Sequence, residues 1–111
     1  MKPSDRHILE RILEEMDYLQ GLLAGMDLES FVADETVKCA AAMSSINIGE
    51  LAKHLSPEFY AAYPTTELRY AARTRDVYAH GYCTLSFETV YKTAVEDYPR
   101  LRAWVAQMLS E

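Results

Sequence analysis

Hydrophobic residues recur every three to four positions along most of the chain, which is the spacing of one face of an α-helix. The first such stretch runs from Ser4 to Met26, and Ser4 or Asp5 is suited to cap its start. Its apolar positions are Ile8, Leu9, Ile12, Leu13, Met16, Leu19, Leu22, Leu23 and Met26. The pattern predicts a long amphipathic helix with this face turned toward a core.

A second stretch predicts another long helix, from about Leu28 to Leu55. Ser56-Pro57 should end it, because proline lacks a backbone donor and disfavours the helical conformation of the residue before it. One side of this helix carries Val37, Ala40, Ala41, Ser44, Ile48, Leu51 and Leu55. The small residues at positions 39–42 favour a close approach to a neighbouring helix, since little side chain separates the two axes.

A third helix is predicted from about Thr66 to His80. Thr65 or Thr66 is suited to cap it, and Glu67 is expected in its first turn, where a carboxylate meets the positive end of the helix dipole. Gly81 is a plausible terminator.

The last helical stretch is predicted from Ser86 to Ser110. Pro99 lies inside it and should kink the helix or divide it in two. Beyond the proline, an apolar stripe is formed by Leu101, Trp104, Val105, Met108 and Leu109.

These stretches predict an all-α fold. No segment alternates as strands do, no internal repeat is visible, and no linker is rich in glycine, proline or serine. Short connections between long helices favour antiparallel neighbours. We therefore expect residues 1–111 to form a single domain, an up-and-down bundle of four or five helices.

Composition narrows the class of protein. Half of the 111 residues are apolar, which is enough for one independent core. The apolar runs are far shorter than the roughly 18 residues needed to span a bilayer, and Met1 to Arg6 shows no export pattern, so we expect a cytoplasmic protein without membrane contact. Cys39 and Cys83 have no CxxC or metal-type spacing, which favours buried thiols over a disulfide or a metal site.

The charge balance excludes bulk coating of nucleic acid. Seventeen acidic residues against eleven basic ones give a net charge of -6. The charge is uneven, however: residues Thr65 to Tyr82 carry a net charge of +1 and the other residues carry -7. A local basic site is therefore still allowed within this segment.

Few residues suit catalysis. The chain has no glycine-rich phosphate loop, no H-E-x-x-H helix and no G-x-S-x-G turn. His7 and His54 are expected to face solvent or to cap helices. His80 differs, because Arg69 to Tyr82 also holds three arginines and three tyrosines. On a helix, Arg75 and His80 would lie about 140° apart and roughly 7.5 Å apart along the axis. A solvated helical face with a capping histidine is the simpler interpretation of this pattern.

A family resemblance adds to this pattern. Arg75-Asp76-Val77-Tyr78-Ala79-His80-Gly81-Tyr82 resembles the R-x-x-x-x-H-x-Y signature of the HepT-like toxins, a branch of the HEPN (higher eukaryote and prokaryote nucleotide-binding) superfamily. Residues 48–56 are similar to the family's I-G-E-A-x-x-x-L stretch, and the segment from Tyr91 to Leu109 resembles its aromatic-rich last helix. Tyr63-Pro64-Thr65-Thr66 departs from the Ile-Pro-Trp of many members.

The resemblance implies a HEPN-like bundle and a metal-independent endoribonuclease that is the toxin of a toxin-antitoxin pair. It implies no cofactor, and RNA rather than DNA as the substrate. Arg75 would stabilise charge on the phosphate, His80 would act as general acid or base, and Asp76 would orient one of them. A homodimer, or a larger assembly, would line a shared cleft with two copies of the motif.

Two further residues acquire implied roles. Tyr82 would be adenylylated by the partner antitoxin, a minimal MntA-like nucleotidyltransferase, and the added negative charge would block the cleft. Glu50 either pairs with an arginine of the motif helix and positions it, or faces water. From the residues alone these two alternatives stay open.

Two other functions are compatible with the residues. The chain could be a non-catalytic helical partner that presents a nucleotide or tyrosine to the nucleotidyltransferase, and a net charge of -6 favours that alternative. A purely structural dimerisation bundle would leave Arg75 and His80 without a purpose, so it ranks last.

Overall fold

Four long helical segments and two short helices make up the part of the chain that the structure describes. The computed structural model describes residues 1–80 and 85–111. The long segments are α1 (Pro3–Leu23), α3 (Glu35–Lys53), α5 (Leu68–His80), and a composite of α6 (Phe87–Lys92), a π-helical turn (Thr93–Asp97) and α7 (Tyr98–Leu109). The short helices are α2 (Leu28–Ala33) and α4 (Pro57–Ala62). The described residues contain no strand, so the predicted all-α class is confirmed.

Contacts between the long helices show an up-and-down arrangement. Arg6 near the start of α1 donates to the carbonyl oxygen of Leu109 at the end of α7 (2.6 Å), and Arg102 binds Asp17 further along α1. The side chains of Asn47 on α3 and Glu15 on α1 also lie within hydrogen-bonding distance, at 3.5 Å. The two pairings between α1 and α7 run in opposite chain directions, so these helices are antiparallel, as expected of an up-and-down bundle.

The second predicted helix is in fact two helices. Asp34 has an extended backbone (φ -103°, ψ 98°), and it ends α2 and caps α3 through a side-chain oxygen that accepts from the amide of Val37. Asp27 caps α2 in the same way, by accepting from the amide of Ser30. Each aspartate satisfies an amide that helix formation leaves without a partner. The unbroken hydrophobic pattern concealed this break.

The helix that carries the histidine motif begins slightly later than predicted. Leu68 is the first residue of α5, and the Thr66 hydroxyl accepts from its amide at 3.3 Å. Glu67 lies before the helix and pairs with Arg100 of α7 at 2.9 Å, so its expected place in the first turn is wrong. Because the cross-helix ion pair is available to it, the carboxylate binds α7 instead of the helix dipole. The described part of α5 reaches His80, the last residue of the predicted helix, and Gly81, its predicted terminator, lies outside the described residues.

Pro99 does not break the last helix but is accommodated by a π-helical turn. The amide of Tyr98 donates to the carbonyl oxygen of Thr93, five residues earlier. Widening the turn before the proline relieves the clash between the pyrrolidine ring and the carbonyl four residues back. Helical structure therefore continues from Phe87 to Leu109, close to the predicted span.

One apolar core lies between the four long segments. Its fully buried side chains include Leu9, Ile12, Phe31, Ile48, Leu68, Val90 and Val105. Cys39, expected to be buried, is instead exposed on α3, while Cys83 falls outside the described residues. None of the described helices is long and apolar enough to cross a membrane.

Asp5 does not cap α1 but joins that helix to α4. The helix begins at Pro3, and the Asp5 side chain is 2% exposed. One carboxylate oxygen accepts from the amide of Ser56 at 2.9 Å, and the other accepts from its hydroxyl at 2.6 Å. Ser56 in turn caps α4 by accepting from the amide of Phe59. A buried carboxylate with these two donors ties the start of the chain to the turn after α3.

Replacing Asp5 by alanine is expected to lower the free energy of unfolding by about 2–3 kcal/mol, because hydrogen bonds to a charged acceptor are lost and a buried amide is left unpaired. Urea denaturation followed by circular dichroism measures this change. Ser4→Ala is the matched control, since Ser4 is exposed beside it. Equal stability of the two variants would show that the buried contact contributes nothing.

Candidate active site

Gly49 allows α3 and α5 to cross at unusually short range. A Cβ atom at this position would lie 2.5 Å from the carbonyl oxygen of Ala71 and deep inside van der Waals contact with the Cβ of Arg75. No side chain fits there without pushing the helices apart. The crossing therefore places the first atoms of the Arg75 side chain directly against the α3 backbone. This contact fixes the direction in which the Arg75 side chain extends from α5.

Arg75 is held across this crossing by Glu50, the neighbour of Gly49. Nε of Arg75 lies 2.9 Å from Oε2 of Glu50, and both atoms are buried. The N–H is not aimed at the oxygen, so the contact is an ion pair rather than a hydrogen bond. The Arg75 side chain as a whole is 26% exposed. Of the two alternatives for Glu50, the structure shows the one in which it pairs with an arginine of the motif helix.

Asp76 joins two cations on the same side of the crossing. Its Oδ1 accepts from Nη1 of Arg75 at 3.1 Å and from Nζ of Lys53 at 2.9 Å. These bonds lower the pKa of the Asp76 carboxyl below its ordinary value, Lys53 contributing most and Arg75 next. Of the two groups that Asp76 was expected to orient, it therefore contacts Arg75. It makes no bond to His80 within the described residues.

The direction of helical side chains explains why these groups meet. Side chains on a helix lean toward its N-terminus. Lys53 leans back along α3 toward the level of Glu50, and Asp76 leans back along α5, so that Nζ and Oδ1 meet at 2.9 Å. The two helices therefore direct their charged groups at the same short stretch of surface.

His54 belongs to the edge of this cluster, which sequence reasoning missed. Its Nε2 lies 3.2 Å from Oε1 of Glu50, one helical turn earlier, and the imidazole is 68% exposed. Lys53 was missed as well, because its partner Asp76 lies on another helix. The only sequence signal was their position three and four residues after Glu50, in the stretch similar to I-G-E-A-x-x-x-L. Glu50 and Asp76 thus each bridge Arg75 to a second basic group.

His80 lies apart from the cluster. It is the last residue of α5 and is exposed, with no hydrogen bond or ion pair to any other described residue. Because α5 is helical from Leu68 to His80, the side chains of Arg75 and His80 project from it in directions about 140° apart around the helix axis. The chain therefore brings Arg75, Asp76 and Glu50 together, while His80 lies one helical turn beyond Asp76 and is directed away from Arg75.

The outer face of α5 carries His80 together with other exposed side chains. Arg69, Arg73, Asp76 and His80 are spaced by four, three and four residues, so they form one stripe along the helix. The opposite face is buried through Leu68, Ala71 and Tyr78, and burial raises the pKa of the Tyr78 hydroxyl. This anchoring holds the stripe toward solvent. Tyr82, the predicted modification site, lies outside the described residues.

One surface groove lies away from this site. The groove between the start of α5 and α7, about 250 Å³ and lined partly by Thr66 and Trp104, contains neither Arg75 nor His80. Among residues 1–80 and 85–111, no three His, Cys, Asp or Glu side chains converge as metal ligands do.

The lowered pKa of Asp76 has a measurable consequence. A carboxyl whose pKa is lowered by folding contributes stability above its unfolded pKa and loses that contribution as the pH falls through the folded value. Lys53→Gln removes the largest cause, so the pKa of Asp76 should rise toward the ordinary aspartate value. Carbon-detected NMR titration of the carboxyl measures it, with Lys92→Gln as control because Lys92 pairs with Glu88 on another helix. An Asp76 pKa unchanged by Lys53→Gln would contradict the bridge.

Comparison with known proteins identifies the chain's relatives. A family model described as "Ribonuclease HepT-like" matches residues 12–108. A protein of Caldanaerobacter subterraneus subsp. tengcongensis named "Putative RNase" is 29% identical over 106 residues, covering 96% of this chain and 95% of the relative. The "Probable ribonuclease HepT" of Thermococcus cleftensis is 29% identical over 102 residues, covering 92% and 93%. No solved structure matches the chain significantly.

The family match spans all the helices that build the site, from the second half of α1 to the end of α7. Both helices that cross at Gly49 lie inside it, as do Glu50, Arg75 and His80. The resemblance noted in the motif of α5 is thereby confirmed over nearly the whole chain. This protein belongs to the HepT-like ribonuclease family.

Proposed function

We propose that this chain is a metal-independent endoribonuclease that acts as the toxin of a toxin-antitoxin pair in the cytoplasm. The observation that carries the proposal is the guanidinium of Arg75, held at the α3–α5 crossing by Glu50 and Asp76. A fixed, planar cation at the protein surface suits the stabilisation of a phosphate that gains charge during reaction.

The hydrogen-bonding capacity of Arg75 supports this role. A guanidinium has five N–H donors. Nε is buried in the ion pair with Glu50 and one N–H of Nη1 donates to Asp76, which leaves the second N–H of Nη1 and both N–H groups of Nη2 without a partner among the described residues. Two adjacent N–H groups are enough for a bidentate contact with phosphate oxygens. Glu50 and Asp76 are then positioning residues, because they orient the guanidinium without touching the reacting atoms.

The reaction would proceed by attack of the RNA's own 2′-hydroxyl. A base removes its proton, the 2′-oxygen bonds to phosphorus, and the bond from phosphorus to the 5′-oxygen breaks as an acid protonates that oxygen. The products are a 2′,3′-cyclic phosphate and a 5′-hydroxyl. His80 is proposed as the acid or the base, because an imidazole serves in either role near neutral pH.

A homodimer, alone or within a larger assembly, would complete the site. Arg75 and His80 leave one α5 helix about 140° apart, so a single chain presents them to different regions of solvent. In a cleft between two copies, His80 of one protomer would approach a phosphate bound by Arg75 of the other. The same pairing would supply two imidazoles, one as base and one as acid.

Tyr82 is proposed as the site at which the antitoxin silences the enzyme. It follows His80, the exposed last residue of α5, by two positions in the sequence. An MntA-like nucleotidyltransferase would transfer adenylyl groups from ATP to the hydroxyl, and their bulk and negative charge would exclude RNA from the cleft. Intact mass after coexpression should show added adenylyl units on the parent and on Tyr18→Phe, but not on Tyr82→Phe. Adenylylation of Tyr82→Phe would contradict the assignment.

A non-catalytic partner of the nucleotidyltransferase is the second candidate, favoured by the net charge of -6. Induction of the chain alone in a bacterial host separates the two functions. A ribonuclease should arrest growth and degrade cellular RNA, and coexpression of the nucleotidyltransferase should reverse both effects. A presenting subunit should do neither, and intact RNA with normal growth would overturn the proposed activity.

A further inference from the structure

The outer face of α5 differs from the rest of the surface in how its cations are paired. Of the eleven lysines and arginines, eight lie within ion-pair distance of a carboxylate. Within the described part of the chain, Arg11, Arg69 and Arg73 have no such partner. Two of these three lie on the stripe that ends at His80, so the stripe keeps its positive charge.

Both stripe arginines are held over aromatic rings. The guanidinium of Arg69 lies 4.6 Å from the ring centre of Tyr60 and donates to the Tyr60 carbonyl oxygen at 3.3 Å. Tyr60 is itself fixed, since its hydroxyl donates to the carbonyl oxygen of Ala52 at 2.6 Å. The guanidinium of Arg73 lies 5.6 Å from the ring centre of Tyr70. These contacts orient the arginines without neutralising them.

Tyr70 offers a surface for stacking. Its side chain is 64% exposed, and Val77, one heptad further along α5, is 66% exposed. Exposed aromatic rings beside arginines are how proteins bind the bases of single-stranded nucleic acid, because every base has a stacking face. The bases of a duplex are stacked already and do not reach such a ring.

The one acidic residue of the stripe does not repel a phosphate backbone. The Asp76 carboxylate is paired with two cations, because it accepts hydrogen bonds from Lys53 and from Arg75. From Arg69 to His80 the stripe spans eleven residues, or roughly 16 Å along the helix axis. It therefore runs continuously from unpaired cations, past a neutralised carboxylate, to the histidine.

We propose that Arg69, Arg73 and Tyr70 bind the single-stranded segment of RNA that flanks the cleavage position, with its backbone along the stripe and an unpaired base on Tyr70. The inference rests on the proposed function for the nature of the substrate. It adds that the bound segment of RNA is single-stranded. It also names residues that bind this segment in addition to the catalytic groups.

Binding measured as a function of salt tests the role of the arginines. The probe is a fluorescein-labelled single-stranded RNA of about a dozen nucleotides, followed by anisotropy from 50 to 300 mM KCl, with every variant in a His80→Ala background so that the RNA stays intact. Losing one phosphate contact on a single strand should make the slope of log affinity against log salt shallower by about 0.7. Arg69→Gln and Arg73→Gln should each show this change.

Arg11→Gln is the matched control, because it removes the third arginine without a carboxylate partner, which is exposed on α1. Its slope should equal that of the parent. If Arg69→Gln and Arg73→Gln kept the parent slope, or if Arg11→Gln changed it equally, the stripe would not be the contact surface.

Tyr70→Ala tests stacking separately from charge. It should weaken binding of the single strand about tenfold at every salt concentration and leave the slope unchanged. The same RNA annealed to its complement should bind Tyr70→Ala and the parent equally. Tyr18→Ala removes an exposed tyrosine of α1 and should change neither quantity. Equal loss of duplex and single-strand binding in Tyr70→Ala would contradict the stacked base.

Failure of this inference is distinguishable from failure of the proposed function. If the parent cleaves RNA but the stripe variants bind it like the parent, the stripe is wrong and the activity stands. If the stripe variants change the slope as expected but the parent never cleaves, the strand-binding surface stands and the proposed activity is wrong.

Discussion

Alanine in place of His80 is expected to lower the rate of RNA cleavage by about two to four orders of magnitude, the usual contribution of a general acid or base. The fold should be unaffected, because His80 is exposed at the end of α5 and bonds to no other described residue. Single-turnover cleavage of a labelled RNA measures the rate. Loss of activity together with an unchanged melting temperature is the expected combination.

Two histidine controls make this test specific. His7 is exposed on α1, and His7→Ala should cleave at the parent rate. His54→Gln removes only an exposed pair with Glu50, worth about 0–1 kcal/mol, so its effect should stay below roughly fivefold. If His54→Gln lost as much activity as His80→Ala, the second imidazole of the reaction would be His54 of the same chain rather than His80 of a second copy.

Arginine at position 75 should not be replaceable by lysine. Lysine has no planar fork, so it cannot face Glu50, donate to Asp76 and still present adjacent N–H groups to a phosphate. Arg75→Lys is expected to lower the cleavage rate by about two to three orders of magnitude, comparable to the loss of a donor that stabilises a developing charge. A variant with near-parent activity would show that a positive charge alone suffices.

Gly49→Ala is expected to destabilise the protein by about 1–3 kcal/mol, the range of overpacked sites. The added methyl group would meet the Ala71 carbonyl oxygen at 2.5 Å and overlap the Arg75 side chain, so α3 and α5 must separate. This cost opposes the gain of about 0.5–1 kcal/mol that alanine brings to a helix interior. Because the shift occurs where Arg75 leaves α5, activity should fall even at temperatures where the variant remains folded.

Gly21→Ala is the matched control for this substitution. Gly21 is also inside a long helix, but a Cβ atom there meets nothing within 4 Å. Alanine at position 21 should therefore stabilise the protein by about 0.5–1 kcal/mol and leave cleavage unchanged. Thermal unfolding of the two variants measures opposite shifts in melting temperature. If Gly49→Ala were stabilised like Gly21→Ala, the close crossing of α3 and α5 would be wrong.

Much of the helical layout was predictable, because each long helix carries its own apolar stripe. The span of α1 and most of the described span of α5 followed from local patterns. The break at Asp34 did not, since one aspartate both ends α2 and caps α3 while the apolar pattern continues across it. Asp5 was misassigned for a related reason. Its partner Ser56 is distant in sequence, and capping rules consider only residues within the first turn of a helix.

The site shows the same division between local and long-range information. Arg75, Asp76 and His80 lie within one motif, so the sequence alone could propose them together. The bridge from Lys53 to Asp76 depends on how close α3 and α5 approach, and that depends on the missing side chain of Gly49. The pairing of Glu50 with Arg75 was one of two open alternatives, and only the packing of the two helices decides between them.

The central claim is that this member of the HepT-like ribonucleases cleaves RNA with its own side chains. The most direct measurement incubates the purified protein with a 5′-labelled RNA in EDTA and identifies the ends of the products. The account predicts cleavage that persists in EDTA, products with 2′,3′-cyclic phosphate and 5′-hydroxyl ends, and formation of these products at least about a hundredfold more slowly by His80→Ala. Intact RNA, or products with 3′-hydroxyl and 5′-phosphate ends that form only when Mg²⁺ is added, would contradict it.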